Sequence, residues 1–180
     1  MTLAALPSSI VEPYRLGRFA GAHTTIGTMR EMIKGQRGER SLVVYKLTEH
    51  CVRYLQGKDY LSELIAIRNF VAEHVRYKND PLSTEWVSDP QRLAEQIMQH
   101  GRATADCDDI SGIIATMVRQ VGRESDLVTV GFGKPGQYSH VFARAYETKA
   151  GRWIVLDPVA GTDEGKMLRR VTTYKIWKLD

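Results

Sequence analysis

A thiol, an imidazole and a carboxylate follow one another along this chain at Cys107, His140 and Asp157, each at a telling place. Cys107 stands in Ala105-Asp106-Cys107-Asp108-Asp109, at the start of an apolar helical pattern. His140 stands in Tyr138-Ser139-His140-Val141-Phe142, inside a strand pattern. Asp157 ends the next strand pattern, in Val155-Leu156-Asp157-Pro158. Sulfur can act as a nucleophile, imidazole can take and return its proton, and a carboxylate can orient the imidazole. If the three converge, the chemistry is cysteine-dependent acyl transfer through a thioester.

Each residue also has a plain structural explanation. A cysteine at a helix start often only packs. A strand histidine can merely satisfy a backbone group, and Asp-Pro is ordinary turn chemistry. Their joint occurrence in this order favours function. The charges near the thiol pull in opposite directions. The partial positive charge of a helix start lowers a thiol pKa. Asp106, read as N-cap, and Asp109, placed as in a capping box, work against a thiolate. An imidazolium at His140 would have to outweigh them.

The positioning elements can be read from periodicity. Residues 1–23 hold Pro7, Pro13, Gly17 and Gly21 and no helical period, so they read as an extended N-terminal arm. Residues 24–180 read as one domain. Helices are expected over Thr24–Lys34, Ser41–Gln56 and Tyr60–Tyr77. A fourth should begin at Asp89-Pro90, with Asp89 as N-cap and Pro90 at N1, and end at Gly101. The fifth should run from Cys107 to Gln120. Its apolar positions Ile110, Ile113, Ile114, Met117 and Val118 define a wide buried face. From Leu127 the period changes to two, giving strands at 127–132, 139–146 and 152–157, and a last one within 168–177. Helices followed by strands imply an α+β domain in which N-terminal helices pack on a C-terminal antiparallel sheet. If the hairpin turns near Thr148 and Lys149, His140 and Asp157 face each other with Cβ atoms about 5 Å apart. A slip of one residue would put Asp157 on the other face.

Composition narrows the function classes. With 180 residues and 43% hydrophobic content the chain can bury a real core. A net charge of +4 is mild and does not indicate a nucleic-acid partner. No apolar run is long enough to span a bilayer and no signal peptide is evident, so the expected compartment is cytoplasmic. Two cysteines and five histidines without ligand spacing leave no expected metal site, and no cofactor is expected. Cys51 reads as core, and His74 and His100 as caps of helix carbonyls. Trp86 could be core or the wall of a cleft.

The run Asp106-Cys107-Asp108-Asp109, then His140-Val141-Phe142 and Trp153-Ile154-Val155-Leu156-Asp157-Pro158, resembles the transglutaminase-like superfamily over about residues 60–160. Val75-Arg76-Tyr77 with Asp80, and Asp89-Pro90 with Leu93, resemble the lead-in of such domains. The resemblance implies a papain-like core, with Cys107 as nucleophile, His140 as general base and acid, and Asp157 as orienter. Ala105 stands where the family usually has glycine. The Cys107 N–H is the expected oxyanion donor, with Gln99 or Trp86 as candidates for a second. The segment with Thr24, Thr25, Thr28 and Met29 is similar to short versions encoded by tailed phages and prophages.

Three functions follow as expectations. The first is a peptidase or amidase acting on a protein or peptide through the three residues; an amine acceptor would make it a transferase. The second is a non-catalytic structural or assembly component of a phage particle, in host cytoplasm or virion, meeting other phage proteins through the N-terminal arm. The third, nucleic-acid binding, rests only on the basic C-terminus.

Overall fold

The computed structural model describes residues 12–16, 21–80, 84–159 and 169–180. Most of the N-terminal arm and Leu168 lie outside the described residues. The helices are α1 (Ala22–Lys34), α2 (Leu42–Val52), α3 (Tyr60–His74), α4 (Pro90–His100) and α5 (Cys107–Gln120). The strands are β1 (Tyr14–Leu16), β2 (Val75–Tyr77), β3 (Glu85–Val87), β4 (Ala103–Ala105), β5 (Ser125–Gly131), β6 (His140–Glu147), β7 (Arg152–Leu156) and β8 (Thr173–Lys178). The fold is α+β, with the helices on a four-stranded antiparallel sheet of order β7-β6-β5-β8.

Local chemistry sets most of the helix starts. Ser41 accepts from the Val44 N–H at 3.3 Å and Asp89 from the Arg92 N–H at 3.0 Å. Each satisfies one of the donors a helix start leaves free. Pro90 opens α4, and Gly101 closes it with φ 72°, a conformation glycine adopts without a Cβ penalty.

The centre of the molecule is α5. Residues 108–118 along it are all buried. Ile110, Ile113, Ile114, Met117 and Val118 pack with Leu127, Val141, Ala143, Ala145 and Leu156 of the sheet and with apolar residues of the other helices. Burying such side chains contributes about 1.5–3 kcal/mol each, which fixes the start of α5 against the sheet. A smaller cluster of Val128, Val130 and Phe142 covers the opposite sheet face.

Three expectations need correction. Helix α3 stops at His74; Val75-Arg76-Tyr77 instead forms β2, paired in parallel with Ala103–Ala105. Val75 fits both the helical stripe and an extended segment, so its spacing could not separate the two. Helix α2 ends at Val52, short of Gln56. In the β6–β7 hairpin Ala143 faces Leu156 and Glu147 faces Arg152. Asp157 is therefore offset by two residues from a position opposite His140. The Glu147 carboxylate causes this: it accepts the Lys149 and Ala150 N–H groups at 2.9 and 2.6 Å and shifts the turn toward Gly151, φ 64°. A slip of two preserves the face, because side chains alternate with period two.

Candidate active site

The site assembles where the start of α5 meets the start of β6. The Ser111 hydroxyl lies 2.5 Å from the Cys107 carbonyl oxygen and 3.0 Å from that of Val141, so it clips the first turn of α5 to the strand that carries His140. The Val141 N–H in turn donates toward the Cys107 sulfur. Gly131 lets the segment before His140 fold down on β5. A Cβ there would lie 1.8 Å from the Gln137 carbonyl oxygen.

His140 Nε2 lies 2.7 Å from Asp157 Oδ2. Asp157 is 3% exposed, and its other oxygen accepts the Val159 N–H at 2.9 Å. Asp157, Pro158 and Val159 thus form a side-chain-capped turn, and Pro158 offers no competing N–H. One carboxylate thus both shapes the turn and binds the imidazole. An ionised carboxylate only accepts, so Nε2 carries the hydrogen, and in the neutral ring Nδ1 keeps the lone pair.

Cys107 and His140 line one cleft of about 500 Å³, together with Tyr77, Asn79, Asp80 and Glu85 on the facing wall. Burial pushes the Cys107 thiol up to about 12, with Asp108, Asp106 and Glu85 adding to the rise. The Val141 N–H opposes it. At neutral pH the resting residue is therefore a thiol. Burial leads the rise, and together with the carboxylates it outweighs the Val141 N–H. Cys51, on the apolar side of α2, is also pushed up to about 12 by burial.

The acidic residues around the thiol have separate tasks. Asp106 is the N-cap of α5 by position but makes no side-chain cap bond. Asp109 closes no capping box. Its Oδ1 accepts the Ser88 N–H at 2.6 Å and ties α5 to the segment before α4. Burial, then the Asp106 charge, raises Asp109 to about 7. Burial raises Asp108 well above its ordinary value, helped by its hydrogen bond to Asp106. The partners of Asp109 and Ser111 lie 21 and 30 residues away in sequence, beyond the reach of any local motif.

The two candidate second donors lie elsewhere. Gln99 is exposed on α4 and lines no cleft that holds the thiol. Trp86 lies in β3 and lines a neighbouring groove; its backbone N–H donates to Asp80. Asn79 does stand in the thiol cleft, and its Oδ1 accepts the Tyr77 hydroxyl at 2.7 Å, which leaves its N–H₂ as donors.

Residues 49–158 match the family profile of the transglutaminase-like superfamily. The chain belongs to this superfamily. Its fold is similar to that of a solved structure described as a "Putative Cysteine Protease" from Cytophaga hutchinsonii. The two share 17% sequence identity, with a TM-score of 0.52 over 84% of this chain and 52% of the other. The chain thus spans about half the length of that protein. No curated protein matches it. Among the described residues no helix is long and apolar enough to cross a membrane.

Proposed function

We propose that the protein is a cysteine-dependent acyl-transfer enzyme, a peptidase or amidase, in which Cys107, His140 and Asp157 act together. The observation that carries this reading is the 2.7 Å bond that ties Nε2 to Asp157 and leaves Nδ1 of a cleft-lining imidazole as base. Because the resting sulfur is protonated, His140 takes its proton as the sulfur attacks the substrate carbonyl. The same imidazole then gives that proton to the leaving amine. Water, deprotonated by His140, hydrolyses the thioester and frees the sulfur. Asp157 holds the ring and stabilises the imidazolium that forms at each step. The Cys107 N–H, a first-turn amide, faces no helical acceptor and serves the oxyanion. The Asn79 amide supplies the second donor. Asn79→Ala should lower kcat by roughly 10²-fold, whereas Gln99→Ala should leave it within about twofold.

The reading is tested with a peptide-based, thiol-reactive amide mimic. The wild type should be labelled at Cys107 and Cys107→Ala should not. Equal labelling of the variant would overturn it. An assembly role in a phage particle is a different reading. No observation on the site favours it over catalysis, and a particle-bound protein with an unreactive Cys107 would be its signature.

A further inference from the structure

A second groove opens beside the thiol cleft and joins it at Asn79, Asp80 and Asp106. Its walls come from two elements. On the small parallel sheet, side chains alternate, so Arg76 and Lys78 share a face with Thr104 and with Arg102 just before β4. On α4, Arg92, Gln96 and His100 recur at a spacing of four and form one stripe. All seven line the groove. Arg76, Lys78, Arg92 and Arg102 make no ion pair among the described residues. The Arg92 Nε and the Gln96 Oε1 are buried without a hydrogen-bond partner. A ligand could satisfy both: the Arg92 Nε–H would donate to an acceptor such as a carboxylate, and the Gln96 Oε1 would accept from a donor such as a peptide N–H. The groove's acidic residues, Asp80, Asp106 and Asp109, stand where it meets or nears the thiol, and Glu12 lies on the arm. Two of them are already engaged, Asp80 by the Trp86 N–H and Asp109 by Ser88. Charge therefore changes sign along the groove, from negative near Cys107 to positive further out.

We infer that this groove is the acyl-side subsite of the enzyme and selects peptides carrying an acidic side chain there. The inference rests on the function proposed above and deepens it. His140 must reach the leaving amine, so the amine side of the scissile bond lies over β6. The second groove contains no residue of β6 and leaves the thiol cleft on the other wall. The acyl side of the substrate therefore runs into it, past the carboxylates and onto Arg76, Arg92 and Arg102. A guanidinium receives a carboxylate through paired N–H donors, which gives direction as well as attraction.

The test uses short peptidyl acyloxymethyl ketones that alkylate Cys107. Glutamate is placed in turn at each position before the reactive group, each probe being matched with its glutamine analogue. At one position the glutamate probe should label the wild type roughly tenfold faster. That preference should shrink with added salt. It should fall to within about twofold in Arg92→Gln and, independently, in the exposed variant Arg76→Gln, while iodoacetamide still alkylates Cys107 at the wild-type rate. Equal rates for every matched pair, with labelling still dependent on His140, would overturn the subsite and leave the proposed function standing. Absence of labelling by all probes would overturn both. Binding of a single-stranded oligonucleotide that is lost in the arginine variants, without glutamate preference, would also overturn it, because the groove would then be a nucleic-acid surface.

Discussion

At the scale of single residues, the unusual feature is a proposed nucleophile held protonated. Many activated cysteines rest as thiolates beside an imidazolium; here burial and three carboxylates push the sulfur to about 12. On the proposed mechanism, proton removal is then part of the chemical step, and it falls to His140. Alkylation of the free enzyme by iodoacetamide should accordingly be slow at pH 7 and still climbing above pH 9. Asp106→Asn keeps an N-cap residue while removing one of the charges that raise the thiol. It should speed alkylation at pH 8 by roughly threefold, as read by intact mass against time. Asp109 makes a separate prediction. Its folded pKa, about 7, lies above the ordinary value of 3.8. Between those values the folded state binds the extra proton, so this contribution to stability is complete below about pH 4 and is lost as pH rises through about 7. Asp109→Asn retains the acceptor for Ser88 and removes the charge. Its melting temperature should exceed that of the wild type by a few degrees at pH 8 and lose that advantage at pH 4.

At the scale of elements, how much could be read ahead depended on how local the cause was. Ser41, Asp89, Pro90 and Gly101 act within one turn, and the helix ends they set were legible. The α5 stripe and the order of Cys107, His140 and Asp157 were legible for the same reason. The three-residue strands β2 and β4 were not. They are too short to show a period, and Val75 continues the stripe of Val71. The hairpin register shifted because the Glu147 carboxylate organises the turn, a preference invisible to alternation alone. The face survived the shift, and with it the meeting of His140 with Asp157. The sheet has its own anchor. Asp126 on β5, 3% exposed, accepts from Arg144 Nε and Nη2 of β6 at 3.0 and 2.6 Å and pairs with Lys178 of β8 at 3.3 Å. Asp126→Ala would strand Arg144 against three strands. It should cost about 3 kcal/mol in denaturant unfolding while leaving the iodoacetamide reactivity of Cys107 unchanged at low denaturant.

At the scale of the whole molecule, the proposed mechanism divides the work between one buried helix and one sheet. The helix brings a sulfur and its amide to the edge of the core, and the sheet brings an imidazole already oriented by a carboxylate. The facing wall, from β2 and the segments around α4, adds Asn79 and a polarised groove. Family membership and fold agree with a thiol enzyme, and the geometry supports the division of labour proposed here. The central claim is that His140 activates Cys107. It is tested most directly by the rate at which a peptidyl acyloxymethyl ketone alkylates Cys107, measured beside iodoacetamide in the wild type and in His140→Ala. The account predicts a fall of at least about 10²-fold for the peptidyl probe, with Cys107 still open to iodoacetamide. Equal peptidyl-probe rates in the two proteins would contradict it.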